Sequence, residues 1–152
     1  MDNLKSFKIK IALLVVAIIC FAIGLEITEN SKYNENKITI TVIDAQVNES
    51  DANQSINLTC SIENNAGATV KCIEANISFK NKSGEAVGAL HVTFGSTAGA
   101  ARALCLEPKN TITQTVRFGK NSGANDLYTL LYNGKLSELS VSYEIAHVYW
   151  GY

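Results

Sequence analysis

Apolar and polar residues alternate through the centre of the chain, from residue 70 to residue 80. The apolar positions of this alternation are Ile73, Ala75, Ile77 and Phe79. A period of two places successive side chains on opposite faces of a strand. Residues 81–84 then interrupt the pattern with Asn, Ser and Gly, and Gly84 can adopt a positive φ at little cost. The pattern predicts a strand, a tight turn and a returning strand.

The same alternation recurs along most of the chain and predicts further strands. Including the central one, the predicted strands cover residues 37–47, 55–63, 70–80, 86–94, 111–118 and 136–150. In the last of them, the odd positions from Leu139 to Tyr149, His147 included, are predicted to share one face with Ile145. Six or seven short strands separated by turn signals are typical of an all-β, antiparallel β-sandwich.

One segment has a different period. Leu127, Leu130 and Leu131 recur at helical spacing, Ser122 or Asn125 can begin a helix, and Gly134 can end it. The sequence therefore predicts one short helix between the last two strands.

The N-terminal part is apolar without interruption from residue 11 to residue 25, after three lysines and before Glu26. A spanning helix needs about 20 apolar residues, so this run suits the core of a signal peptide. Phe7 and Ile9 can lengthen it into a retained anchor. Either alternative predicts an N-terminal hydrophobic helix and a body outside the cytoplasm. The predicted organisation is a signal peptide or membrane anchor (1–25), a polar linker (26–36) and a β-sandwich domain (37–152).

Charge argues against one class of partner. The net charge of the chain is −1, and three of its thirteen basic residues lie among the first ten positions. The body is therefore mildly acidic and is a poor electrostatic partner for nucleic acid.

The sequence contains no motif typical of an active site: no Gly-rich phosphate loop, nucleophile elbow or zinc-ligand cluster. His91 and His147 lie far apart and are interpreted as polar residues at strand surfaces or edges. Glu74 and Glu85 can face each other across a hairpin, which a carboxylate-based hydrolase would need, or they are solvated surface acids. The sequence predicts no catalytic residue, metal ligand or cofactor.

Three cysteines lie in the exported part, and an odd number leaves at least one thiol unpaired. Cys60 shares the apolar face of its strand with Leu58 and is expected in the core. Cys72 and Cys105 are expected to face away from the core. A disulfide between Cys72 and Cys105 suits these faces if the two segments are neighbours. A Cys60–Cys72 pair conflicts with the alternation of faces unless a bulge intervenes, and three free thiols are the remaining alternative.

Aromatic residues are concentrated at positions 149–152, Tyr-Trp-Gly-Tyr. Exposed aromatic side chains mark interfaces, so this segment can contact a ligand or partner. It can equally be the end of the last strand packing on the core.

Three segments, residues 62–70, 77–87 and 106–110, resemble an FxLYD-type domain, a small Ig-like sandwich of exported bacterial and archaeal proteins. Together they cover about the central third of the chain. Ile77, Phe79, Lys80 and Asn81 stand where that family has Phe, Leu, Tyr and Asp. The resemblance implies an Ig-like fold and a non-enzymatic extracytoplasmic module, and it carries no site residues.

These features predict a membrane-tethered or secreted, non-enzymatic Ig-like β-sandwich for binding or envelope structure. Its predicted partners are the membrane, through the N-terminal segment, and a protein or cell-envelope ligand. The alternatives are an exported hydrolase with a carboxylate-based site and a subunit of a surface assembly. Exposed, unpaired strand edges would support the last of these.

Overall fold

The computed structural model describes residues 18–19, 32–48, 54–96, 103–120 and 125–151. Short 3-10 turns at Glu35–Lys37 and Leu136–Glu138 precede the first and last strands. The strands and the helix are β1 (Ile38–Asn48), β2 (Ser55–Asn64), β3 (Val70–Lys80), β4 (Ala86–Gly95), β5 (Thr111–Phe118), α1 (Asn125–Tyr132) and β6 (Ser140–Trp150).

The described strands form two three-stranded sheets. The first sheet has the order β1-β2-β5 and the second sheet has the order β4-β3-β6. Every pairing between these strands is antiparallel. The predicted all-β, antiparallel architecture of six to seven strands with one short helix is confirmed, with six strands in the described part of the chain.

The core lies between the two central strands. Leu58 and Ile62 of β2 face Ile73, Ile77 and Phe79 of β3 in one buried cluster, and all five side chains are 0 % exposed. Full burial of one such side chain contributes about 1.5–3 kcal/mol of transfer free energy. The period-two alternation predicted these inward positions correctly.

Helix α1 closes the end of the sandwich at which β2 begins and β5 ends. Leu127, Tyr128 and Leu131 are buried there, and the Tyr128 hydroxyl donates a hydrogen bond to the backbone carbonyl of Gln54. Gly134 has a φ of +72° and follows the last turn, as a helix-ending glycine does. The predicted short helix is confirmed.

Strand β6 contains a bulge at Ala146, which has no partner in β3. The bulge reverses the alternation of faces within the strand. Ile145 and Val148 therefore pack toward the core, whereas His147 and Tyr149 lie on the outer face. The prediction that His147 and Tyr149 share a face with Ile145 is wrong, because a hydrophobic pattern does not reveal a bulge.

The three described cysteines are free thiols in quite different surroundings. Cys60 is 0 % exposed within the core cluster, as predicted. Cys72 pairs with Gly95 and Tyr149 and so lies on the outer face of β3, as predicted, yet it is only 2 % exposed. Cys105 is exposed. The Cys72–Cys105 disulfide stays a prediction.

The predicted N-terminal hydrophobic helix lies almost entirely outside the described residues. No helix in the described ranges is long and apolar enough to cross a bilayer. The last residues of the predicted linker pack on the sandwich, because the Lys32 carbonyl accepts a hydrogen bond from the Gly67 amide and the Glu35 carboxylate accepts one from the Val148 amide.

Candidate functional site

A groove of about 700 Å³ opens where the segment before β1 meets the end of β6. We call it the aromatic groove. Its lining residues are Tyr33, Glu35, Lys71, His147, Val148, Tyr149, Trp150 and Gly151. Three of these side chains are Tyr or Trp, and they come from the two sides of the groove.

The N-terminal side is held in place by close backbone contact. The carbonyl of Lys32 accepts a hydrogen bond from the Gly67 amide over 3.1 Å. A Cβ atom on Gly67 would lie 3.2 Å from the Cα of Lys32, so a glycine permits this approach. The Lys32 ammonium lies 5.2 Å from the centre of the Tyr33 ring, within cation–π range. Tyr33 thus lines this side of the groove, and the Lys32 ammonium lies beside its ring.

The two sides meet through an aromatic pair. The rings of Tyr33 and Trp150 are 5.7 Å apart, with 73° between their planes. This edge-to-face arrangement contributes about 0.5–1.5 kcal/mol beyond the area it buries. Trp150 also packs against the core, so it connects the groove to the interior.

The β6 side of the groove depends on the bulge at Ala146. Because the bulge turns His147 and Tyr149 outward, their rings meet edge to face with 4.3 Å between centroids. Beyond them, the Gly151 amide donates to the carbonyl of Thr69 over 2.6 Å. This bond extends the pairing with β3 and fixes the end of β6.

Two carboxylates beside the groove hold β6 in position. Glu35 Oε1 accepts a hydrogen bond from the Val148 amide over 3.2 Å, and Glu74 Oε1 accepts one from the Tyr149 hydroxyl over 3.3 Å. The negative charge of Glu74 raises the pKa of Tyr149, and burial together with Glu74 raises the pKa of Cys72. The geometry gives these carboxylates a role in positioning the strand.

The candidate residues singled out from sequence do not converge. His91 and His147 are both exposed on the outer face, as interpreted, but they lie on the opposite edge strands β4 and β6. The Glu85 carboxylate accepts a hydrogen bond from the Asn81 side-chain amide over 2.8 Å, in the turn between β3 and β4. Glu74 lies far from that turn along β3, so the two acids do not face each other across the hairpin. Within the described ranges, no group of three or more His, Cys, Asp and Glu residues could hold a metal ion.

Only the β6 side of the groove could be anticipated from the sequence. The aromatic cluster at residues 149–152 was a usable signal, and Trp150 both lines the groove and packs on the core. Tyr33 gave no such signal, because its contact with Trp150 joins two distant parts of the chain.

No protein-family model matches the chain, and no curated protein matches it. The crystal structure of the ApaA protein from Bordetella pertussis is similar to it at 15% sequence identity, with a TM-score of 0.32. The match covers 53% of this chain and 65% of that protein, so this chain spans less than two thirds of its length. A likeness this distant carries no argument about function, which therefore depends on the site itself.

Proposed function

We propose that the protein is a membrane-tethered, extracytoplasmic, non-enzymatic binding module with an Ig-like sandwich. It binds its partner through the aromatic groove. The observation that carries this proposal is the meeting of Tyr33, Tyr149 and Trp150 around one open groove. The lysine-flanked apolar segment supports a tether through residues 7–25.

The strand order supports the Ig-like part of the proposal. In Ig-type domains, strands A, B and E share one sheet, while F, C and C′ share the other. The orders β1-β2-β5 and β6-β3-β4 correspond to these two sets. Asn64 and Leu106, from two of the segments that resemble the FxLYD-type family, are in direct contact. Membership of that family remains part of the proposal.

The chemistry of the groove favours binding over hydrolysis. Aromatic side chains bring a large apolar area with polar tips, and they are enriched where proteins meet partners. A carboxylate-based hydrolase needs two acids facing one reacting bond. Glu35 and Glu74 instead accept hydrogen bonds from β6.

A photo-crosslinking residue in place of Tyr33 tests the proposal in intact cells. Tyr132 on α1 is the matched control, because both tyrosines are 40% exposed and lie at opposite ends of the sandwich. We expect covalent adducts from position 33 and few from position 132. Equal yields at both positions, or none at position 33, would reject the groove as the binding site.

A surface-assembly subunit is the second candidate, and the edge of β6 favours it. No described strand pairs with the outer edge of β6, where an Ig-type domain places strand G. Val141 and Tyr143 are 37% and 38% exposed along this strand. An added strand could pair there, although the bulge at Ala146 and the bond from Glu35 restrict it to the first half of β6.

The oligomeric state of the full chain in mild detergent separates the two candidates. An assembly subunit would form multimers that Val141→Lys disperses, because a lysine on a strand edge discourages pairing. A wild-type chain that is monomeric at all concentrations would exclude the second candidate.

A further inference from the structure

We infer that the aromatic groove docks on the phospholipid surface of the membrane that holds the chain. The partner is the boundary between headgroups and acyl chains. This inference rests on the proposed function, because it requires the tether.

The point at which the chain enters the domain places the groove near the bilayer. The apolar segment ends at Leu25, and Lys32 is already bound to the sandwich through Gly67. The seven steps between Leu25 and Lys32 span at most about 25 Å when fully extended. The next residue, Tyr33, lines the groove, and the Lys32 ammonium lies beside the Tyr33 ring. The tether therefore enters the domain at the groove and turns this end of the sandwich toward the membrane.

The side chains at this end suit a lipid interface. Trp and Tyr concentrate at the headgroup level of membranes, because each has an apolar body and a polar tip. Trp150 is half-buried and Tyr33 is 40% exposed, so both rings present area to a surface that approaches the groove. Helix α1, at the opposite end, would then project away from the membrane.

Charge decides which lipid is expected. Lys32 is exposed and can reach the phosphate that every phospholipid carries. Glu26 and Glu29 lie just before it in the tether and offset its attraction to an anionic surface. We therefore assign the docking to the aromatic side chains and to contact between Lys32 and lipid phosphate. Because no anionic lipid is required, the groove should dock on neutral phosphatidylcholine.

Trp150 provides a direct probe, since it is the only tryptophan in the sequence. The full chain is reconstituted into phosphatidylcholine vesicles with ordinary or brominated acyl chains, because bromine quenches tryptophan only at near contact. We expect brominated lipid to reduce Trp150 emission, and the emission to lie at shorter wavelength than in detergent. The matched control is a chain with Trp150→Phe and Tyr132→Trp, whose reporter on α1 should keep its emission.

Each other result overturns the inference in a distinguishable way. If the chain floats with the vesicles while brominated lipid leaves Trp150 unquenched, docking is wrong and the tether stands. Equal quenching of the two reporters would show that no particular end of the sandwich meets the lipid. A chain that does not float with the vesicles would overturn the tether and the docking together. Crosslinks from position 33 to protein or glycan, with none to lipid, would reassign the partner of the groove.

Discussion

The side-chain amide of Asn64 donates a hydrogen bond to the backbone carbonyl of Leu106 over 2.9 Å, across 42 positions of sequence. The same nitrogen donates to the carbonyl of Ala68 over 2.9 Å, and Oδ1 accepts from the amide of Ala66 over 3.0 Å. Asn64 is 0 % exposed. One buried side chain therefore joins the turn between β2 and β3 to the segment before β5, where the chain passes from one sheet to the other.

Replacement of Asn64 by Ala should destabilise the protein strongly. The carbonyl of Ala68 and the amide of Ala66 would lose their partner, and a buried unsatisfied group costs about 1–3 kcal/mol. We expect the free energy of unfolding in urea to fall by about 2–4 kcal/mol. Asn65→Ala is the control, because that side chain is exposed and its backbone bond to Lys37 is retained. Equal midpoints for the two variants would contradict the role of Asn64.

Phe79→Ala tests the inward face of β3. Its ring is 0 % exposed between the sheets, and truncation of a buried Phe costs about 3–5 kcal/mol. Val141→Ala on β6 is the control, since Val141 is 37% exposed and should change the free energy of unfolding little. A loss below about 1 kcal/mol for Phe79→Ala would show that the ring does not contribute as a core residue.

The sequence predicted the central strands well and the edge strand β6 in part. In β2 and in β3 from Ile73 onward, buried positions such as Leu58 and Ile77 follow the period of two, because both strands lie inside the sheets and pack on one core. In β6, Ala146 shifts the register, and a shift of one residue moves every later side chain to the other face. Nothing in the local composition announces that shift.

The candidate site was less predictable, because its residues meet only after the sheets form. The contact between Tyr33 and Trp150 depends on where β6 ends beside β3 and on the fixed position of Lys32. The contact of Asn64 with Leu106 is equally hard to predict, because β3 and β4 lie between the two residues in the sequence. Sequence patterns report local period and turn chemistry, whereas these contacts depend on strand order.

Glu74→Gln should lower the pKa of Tyr149 toward its ordinary value of about 10. The Glu74 carboxylate disfavours a second negative charge nearby and accepts a hydrogen bond from the neutral hydroxyl. Because folding raises the pKa of Tyr149, its protonated hydroxyl contributes to the stability of the folded state. This contribution is complete at pH values below the ordinary tyrosine pKa and is lost as the pH rises above it. NMR titration of labelled tyrosine rings, with Tyr149→Phe to assign the signal, measures the shift. Glu85→Gln should leave it unchanged, and an identical Tyr149 titration in Glu74→Gln would contradict the interaction.

Alkylation of the native protein should distinguish the three described cysteines. The thiolate is the reactive form, and burial raises the pKa of Cys60 to about 11 and also raises that of Cys72. Cys105 is exposed. We expect Cys105 to react first, with Cys60 and Cys72 labelled at appreciable rates only after unfolding. Comparable native rates at all three positions, measured by peptide mapping, would contradict the burial of Cys60 and Cys72.

Oxidation of the folded protein should pair Cys72 with Cys105 and leave Cys60 free. The Leu104 amide donates to the carbonyl of Lys71 over 2.7 Å, so the backbone segments before Cys105 and Cys72 are in contact. Cys60 lies in the core between the sheets, and Cys72 lies on the outer face of β3, so these two thiols face apart.

The reduced protein, unfolded and alkylated, should carry label at all three positions. If the folded protein is treated with oxidised glutathione before it is unfolded and alkylated, Cys72 and Cys105 should both remain unlabelled. Reduction of that sample before alkylation should restore the label at both positions. Loss of label at Cys60, or retention at all three positions, would contradict this pairing, because only neighbouring thiols can close a disulfide of ordinary geometry.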